Sequence, residues 1–412
     1  MSFDEKLTVI VGENGSGKTS IIDSITKLLT WFASRFIKPN NRGTHLLDTD
    51  THVNTTDYAQ VAGQFSLNPE TTFSLSLVRP QDGWAGEYAS ELQATTVLGH
   101  IYRLLAEHDT SQVLPFFACY PVERSSRTLS QHVAESQIQR SLQSRFKVYA
   151  NILNLQARSS TFIERYIELS NLADHNPQQY QKKREQVDAA IESAVPFVSD
   201  IRVDRVKGNA ELRVRNFGSD INFTQLSQGQ KTLAAMVGGI ALRMMALNPH
   251  MSNPLSAQGI ILIDEIDLHL HPSLQQRIIP SLVKTFSGVQ WIITTHSPHV
   301  LSTIDNRAIR IIRFENDTPM VKTPSFQTRG VVSSTVLEQI MDTHAIPSVP
   351  EAEKTTQYLQ RIQDNSWKTQ EGQALKTALI KHFGADHPVI QNLNSQERLA
   401  ELKQNYSPRS GG

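Results

Sequence analysis

The chain has 412 residues, with 40 Lys and Arg against 40 Asp and Glu, so its formal net charge is zero. That length allows one large domain plus a smaller one, and the charge balance excludes a whole-chain basic field for nucleic acid, leaving only local patches. Cys119 is the only cysteine, which excludes an internal disulfide framework and a cysteine-built zinc cage.

The chain opens MSFDEKLTVIVG, running straight into a strand pattern without a basic start, an apolar core or a cleavage site. With no apolar run of about 18 residues anywhere, neither a signal peptide nor a membrane span is expected, and a cytoplasmic protein is. Residues 7–11 form a short continuous apolar run, which suits a strand covered on both faces. A glycine-rich stretch follows, and then a helix pattern through Ile21, Ile22, Ile25, Leu28, Leu29 and Phe32.

Gly12-Glu13-Asn14-Gly15-Ser16-Gly17-Lys18-Thr19 fits the phosphate-loop pattern G-x-x-x-x-G-K-[ST] in full. Glycines let the backbone curl so that successive amides face a phosphate, and the helix N-terminus adds partial positive charge. Lys18 is expected to bridge the β- and γ-phosphates and Thr19 to ligate Mg²⁺, with Ser20 next in the first turn of the helix. The strand before the loop and the helix after it reduce the chance reading of a glycine turn.

Farther on, Phe73, Leu75 and Leu77 alternate with Ser74, Ser76 and Val78, and with residues 60–67 predict an antiparallel side sheet. Residues 114–122 form a second apolar run. From about residue 134 to 193 the chain turns polar and helical without sustained heptads, so long coiled-coil arms are not expected. Residues 201–206 and 211–215 flank Lys207-Gly208-Asn209 as a hairpin. Residues 230–247 predict a helix buried within the domain.

Residues 259–263 and 290–295 predict two more buried strands around a helix at 272–286, the alternation of a doubly wound, mainly parallel α/β sheet. The first strand ends in Asp264-Glu265. It delivers Asp264 to the edge of the sheet where ligands sit, to hold Mg²⁺, with Glu265 as general base toward the attacking water. The second ends in Thr295-His296-Ser297-Pro298-His299. Residues 316–325 look like a linker, and 335–406 read as short helices broken at Pro347, Pro350 and Pro388.

Leu226-Ser227-Gln228-Gly229-Gln230 resembles the LSGGQ signature of ABC ATPases, with Gln228 in place of the first glycine. Phosphate loop, signature, acid pair and histidine follow one another as in that superfamily. DEID together with THSPH resembles its SMC- and RecF-like branch rather than its transporters. The resemblance implies an ABC ATPase head with ATP and Mg²⁺ as cofactors and catalytic roles for Lys18, Glu265 and His296. It also implies a head-to-tail pair in which the signature of one copy meets the γ-phosphate on the other. His269 and His271 lack a carboxylate or cysteine partner at ligand spacing, and their stretch reads as a dimer-contact loop rather than a metal pair. Heads of this type carry a strand pair and an adenine-stacking aromatic before the phosphate-loop strand, whereas here only six residues precede Leu7.

FFACYPVER at 116–124 and the tail at 330–406, with Gly384-Ala385-Asp386-His387-Pro388, are similar to PtuA, the ATPase family of Septu and retron anti-phage systems. The domains implied are an N-terminal ATPase lobe at 1–126, a helical insertion at 127–200, a C-terminal ATPase lobe at 201–320 and a helical partner-docking region at 330–412. The partner implied is an HNH nuclease of the PtuB type, joined in retron versions by a reverse transcriptase with its RNA–DNA. The chain itself shows no HNH cluster and no Toprim acid set, so nuclease activity is expected from the partner. The alternative is a RecF- or SMC-like ATPase in DNA repair or chromosome maintenance. Two basic sets are candidate DNA contacts: Arg140, Arg145, Lys147, Lys182, Lys183 and Arg184, and Arg202, Arg205, Lys207, Arg213 and Arg215. Interleaved acids favour a solvated surface for both. Arg124 is a candidate nucleotide contact and Cys119 a core thiol.

Overall fold

The computed structural model describes residues 1–38, 40–51, 57–68, 70–81, 89–122, 145–149, 155, 157–206, 209–316, 318–343 and 346–406. Arg124, Arg140 and Lys207 lie outside them. The chain divides into two compact units, Met1–Met341 and Asp342–Gly412.

The first unit is built on a six-stranded sheet in which β1 (Leu7–Gly12) lies between β9 (Val289–Thr294) and β10 (Ile309–Glu315). Beyond β9 come β8 (Gly259–Ile263) and β4 (Phe116–Tyr120). These five strands are parallel, and β11 (Thr318–Lys322) closes the edge antiparallel to β10. Runs of consecutive buried residues in β1, β4, β8 and β9 mean both faces of the sheet are covered. One face is covered by α1 (Lys18–Ile37), which packs on β1, β4, β8 and β9.

The expected side sheet is present as β2 (Tyr58–Asn68) paired antiparallel with β3 (Thr71–Pro80). Phe65 and Phe73 stack at 5.7 Å, and Phe32 of α1 meets Phe73 edge-on at 5.3 Å, fastening the side sheet to the helix. Helix α2 (Gln93–His108) also packs on α1. Helices α3 (Ser159–His175) and α4 (Pro177–Ala194) form a short hairpin joined at Asn176. At 17 and 18 residues they reach roughly 26 Å, far short of a coiled-coil arm.

The expected hairpin forms, with β5 (Val198–Val206) antiparallel to β6 (Asn209–Asn216), and β7 (Ser219–Asn222) adds a third strand. Helix α5 (Gln228–Leu247) is buried almost all round and packs on α3 and α4. At its C-terminal end, buried Asn248 accepts from Leu114 N at 2.8 Å and donates to Leu114 O at 2.9 Å, fixing where β4 begins. Helix α6 (Pro272–Thr285) connects β8 to β9, and the single turn α7 (Pro298–Leu301) follows β9.

Three expectations need correction. Residues 316–325 are not simply a linker, because Thr318–Lys322 pairs with β10. Every residue of that strand is exposed, so no apolar alternation marks it, and Pro319 is tolerated because the strand lies at an edge. Helix α8 (Ser333–Met341) belongs to the first unit, so the division falls after residue 341 and not near 330. Arg145 does not offer its charge to solvent. Its guanidinium donates to Leu247 O at 2.7 Å, Thr110 O at 2.9 Å and Gln112 O, stapling the end of α5 to the loop that follows α2.

The second unit is a bundle of α9 (Pro350–Gln363), α10 (Gln370–Phe383) and α11 (Pro388–Tyr406) around Tyr358, Ile362, Trp367, Leu379, Ile390 and Leu393. Pro350 and Pro388 open helices, where a missing N–H costs nothing. The Glu397 carboxylate accepts from the Tyr358 hydroxyl at 2.5 Å and Lys376 Nζ at 2.7 Å. Among the described residues no helix is long and apolar enough to cross a membrane.

Candidate functional site

The parallel order β1-β9-β8 brings the C-terminal ends of three strands side by side, and each releases its functional residues there. Gly12 ends β1, and a Cβ at this position would lie 2.8 Å from Ile312 O and 2.6 Å from Ser16 Oγ, so only glycine fits between loop and sheet. Gly15 and Gly17 have φ of 80° and 91°, the left-handed region that curls the loop onto the N-terminus of α1. Glu13, Asn14 and Gly15 are exposed at the tip, with Thr19 and Ser20 exposed in the first turn of α1. Ser16 Oγ is buried and finds no hydrogen-bond partner. Lys18 is buried, and its Nζ donates to Gly12 O at 3.0 Å and Glu13 O at 2.8 Å. Burial lowers its affinity for the proton below the usual lysine range, opposed by the charges of Asp264 and Glu265.

The loop and the acid pair meet directly: Thr19 Oγ1 donates to Asp264 Oδ2 at 2.8 Å. The other oxygen of Asp264, Oδ1, accepts from Thr294 Oγ1, and Thr294 Oγ1 in turn accepts from Glu265 N at 2.7 Å. One threonine hydroxyl at the end of β9 therefore positions both acids at the end of β8. Asp264 N is held as well, donating to Tyr120 O at 2.9 Å. Glu265 takes φ 49°, a turn that a residue with a Cβ adopts at some cost, and that carries its side chain out of the strand direction.

His296 leaves β9 half-buried, with its backbone N donating to Asp267 Oδ1 at 3.3 Å, while Thr295 Oγ1 donates to the same oxygen at 2.5 Å. Ser297 caps α7 by accepting from His299 N at 3.1 Å and Val300 N at 3.3 Å. His299 Nδ1 then lies 2.9 Å from Ser333 Oγ at the start of α8. His271 serves α6 as its cap, accepting from Ser273 N at 3.3 Å.

Ser227 caps α5. Its Oγ accepts from Gln230 N at 3.3 Å and donates to Gln230 Oε1 at 3.1 Å, while Ser227 N also donates to that oxygen. Leu226 is buried beneath the turn, and Ser227 and Gln228 are exposed. A Cβ at Gly229 would lie 2.7 Å from His269 O, so the helix start abuts the loop that follows the acid pair. That contrast accounts for Gln228 in place of the first signature glycine: its side chain stands in solvent, whereas the second glycine has no room for one. The structure thus brings Lys18, Thr19, Asp264 and Glu265 to one sheet edge and puts Ser227 and Gly229 on a separate helix N-terminus.

Thr294 and Asp267 escaped the sequence reading. Thr294 read only as strand and Asp267 only as part of the motif, and nothing but their proximity to the acids and to His296 pointed to them. The four described members of the second basic set are each paired with an aspartate. Arg202 pairs with Asp220 at 2.9 Å, Arg205 with Asp174 at 2.6 Å, Arg213 with Asp220 at 3.0 Å and Arg215 with Asp200 at 3.4 Å.

Residues 1–319 match the family described as RecF/RecN/SMC N terminal domain. The chain is 31% identical to the Retron Vc95 probable ATPase of Vibrio cholerae, over 93% of this chain and 84% of that protein. It is 29% identical to the Retron Ec83 probable ATPase of Escherichia coli, over 98% of this chain and 82% of that protein. Septu protein PtuA of Bacillus mycoides is 30% identical over 43% of this chain and 25% of its own length. Among solved structures, an SMC head bound to the C-winged helix domain of ScpA aligns at a TM-score of 0.44 and 16% identity, covering 79% of this chain and 92% of that one. With its motifs in that order on a mixed α/β sheet, the chain belongs to the RecF/RecN/SMC N-terminal-domain family, as an ABC-type ATPase related to the retron and Septu ATPases.

Proposed function

We propose that two copies of this chain close on ATP, and that the pair is the ATPase subunit of an anti-phage defence complex that senses infection and controls an associated HNH nuclease. The observation that carries the ATPase part is the joining of the phosphate loop to the acid pair through Thr19 and Asp264. The buried, unpartnered Ser16 hydroxyl supports an oxyanion in the loop, since a buried donor without an acceptor costs about 1–3 kcal/mol. The N-terminus of α1, which begins at Lys18 directly after the loop, adds the partial positive charge that favours an anion there. Lys18 exchanges its two neutral carbonyl acceptors for phosphate oxygens, a stronger charge-assisted pairing.

Thr19 Oγ1 and Asp264 Oδ2 are adjacent oxygen donors of the kind Mg²⁺ takes, and the bound ion would offset charge on the β- and γ-phosphates. Glu265 accepts the proton of the water that attacks the γ-phosphorus as the bond to the bridging β-phosphate oxygen breaks and ADP leaves, and His296 hydrogen-bonds the γ-phosphate oxygens. Ser227 and the free amides at the start of α5 form a second anion site, which receives the γ-phosphate held by the other copy.

The defence setting is supported by relatives named as retron and Septu ATPases. The second unit is the candidate platform for the nuclease, with a reverse transcriptase and its RNA–DNA as a further partner in a retron setting. The short α3–α4 hairpin disfavours a role as a chromosome-spanning arm. The deciding experiment compares steady-state phosphate release and ATP-dependent pairing of the parent, Lys18→Ala, Ser227→Arg and Glu265→Gln. Lys18→Ala should lose both, Ser227→Arg should lose pairing, and Glu265→Gln should pair but not turn over. Equal behaviour of all four would overturn the proposal. Copurification with the products of neighbouring genes tests the nuclease partner.

A further inference from the structure

Two turns of the β5–β6–β7 sheet display aromatic rings to solvent at a conformational cost. Phe217 and Gly218 are the central residues of the turn between β6 and β7, with φ of 49° and 80°. Left-handed φ at both positions defines a turn that prefers Asn-Gly. Phe197 likewise has φ 67°. A side chain bearing a Cβ costs roughly 1–2 kcal/mol in that region. The two rings stack at 4.3 Å with planes 20° apart, yet remain 61% and 70% exposed. Phe217 N donates to Phe197 O at 3.3 Å, holding the two turns together. Backbone strain held in place to present large apolar surface to water is an arrangement that folding alone does not favour.

The pair is fastened to the signature by a single buried side chain. The Gln230 amide oxygen accepts from Ser227, while its Nε2 donates to Asn216 Oδ1 at 3.2 Å and to Pro196 O at 3.5 Å. Asn216 and Pro196 immediately precede Phe217 and Phe197. Ser227 and the two rings are therefore parts of one preorganised surface.

We infer that Phe197 and Phe217 are the apolar anchor by which one copy of this chain grips a second copy when the pair closes on ATP. This rests on the paired reading above. If Ser227 faces the phosphates held by the second copy, the surface continuous with it is covered in the same event. Buried aromatic side chains contribute heavily to interface energies, and the part of each ring still exposed here is what pairing would remove from water. The charges around them suit a rim: Arg202, Arg213 and Arg215 are paired with Asp200, Asp204 and Asp220. The same pairing disfavours nucleic acid as the occupant, because base stacking on an aromatic platform is normally accompanied by cations free to meet phosphates.

The test uses the full chain carrying Glu265→Gln, with ATP, and reads the dimer dissociation constant by sedimentation. Adding Phe197→Ser and Phe217→Asn should weaken pairing by about tenfold or more, the effect of roughly 1.4 kcal/mol. Asparagine suits the turn, so the monomer should unfold at the same temperature as the parent or higher, and binding of a fluorescent ATP analogue should be unchanged. An unaltered dimer constant overturns the inference and leaves the paired reading standing. So does normal pairing with loss of binding to a fluorescent single-stranded oligonucleotide, which would assign the rings to nucleic acid. If the Glu265→Gln protein with both phenylalanines intact does not pair in ATP, the paired reading fails and this inference fails with it.

Discussion

The hydroxyl of Thr19 donates to the Asp264 carboxylate across 2.8 Å, although 245 residues separate the two in sequence. The bond exists because β1 and β8 flank β9 in a parallel sheet, so the loop leaving one strand and the acid leaving the other emerge at the same edge. Thr294, at the end of the strand between them, completes the arrangement by serving Asp264 and Glu265 with one hydroxyl.

Thr294→Val keeps the shape of the side chain and removes that hydroxyl. A buried carboxylate oxygen and a backbone N–H each lose a partner, so stability should fall by about 1–3 kcal/mol. Phosphate release should fall by about tenfold or more as both acids lose their alignment. Urea unfolding and steady-state turnover check this, and a valine protein as fast as the parent would remove Thr294 from the positioning of the acids.

Gly229→Ala places a methyl group 2.7 Å from His269 O, on a loop whose His269 already has φ 63°. The helix start must shift, at roughly 1–3 kcal/mol. ATP-dependent pairing should weaken by about tenfold or more, since 1.4 kcal/mol corresponds to a factor of ten. The exposed neighbour provides the contrast, and Gln228→Ala should pair within about twofold of the parent, a difference under ~0.5 kcal/mol. Equal losses at the two positions would contradict the close approach as the cause.

Burial pushes the Asp188 carboxyl up to about 7, against the opposing pull of the Tyr166 hydroxyl that donates to it at 2.5 Å. In the unfolded chain an aspartate titrates near 4. Between these values the folded protein holds the extra proton, so the contribution of this group is fully present below about pH 4 and is lost as pH rises through about 7. Asp188→Asn removes the titration and keeps an acceptor for Tyr166. The stability of the variant relative to the parent should therefore increase from about pH 5 to about pH 8 and then level off. A difference that does not change with pH in urea titrations would contradict the raised value.

Cys119 is buried, accepts a hydrogen bond from Thr26 Oγ1 at 3.2 Å, and has its thiol pushed up to about 12 by burial. Only the thiolate reacts, and at neutral pH it is a fraction of about 10⁻⁵. Alkylation of the folded protein should be slower than in urea by about a thousandfold or more, since burial also denies access. Rapid labelling of the native protein would show that β4 opens readily.

The strands that carry the site were legible because they are covered on both faces: 7–11 and 259–263 read as short apolar runs, 290–295 reads as a strand around Trp291-Ile292-Ile293, and each leads into its motif. β10 was not anticipated, although it pairs directly with β1, because Arg310 and Arg313 interrupt its isoleucines. β11 is exposed throughout and carries a proline, so nothing in its composition separates it from a loop. β7 is four residues long, too short to show a period. Within the candidate site, Lys18, Thr19, Asp264 and Ser227 were singled out through motifs. Thr294 was not, because its part depends on which strand lies beside which, and sequence spacing does not encode that.

The hydrogen bond between His299 and Ser333 has a consequence for how the first unit ends. Ser297 and His299 follow His296 directly, and Ser333 opens the last helix before the chain crosses into the second unit. The last helix of the first unit is therefore moored at its first residue to the turn that follows β9, the strand whose Thr294 serves both acids.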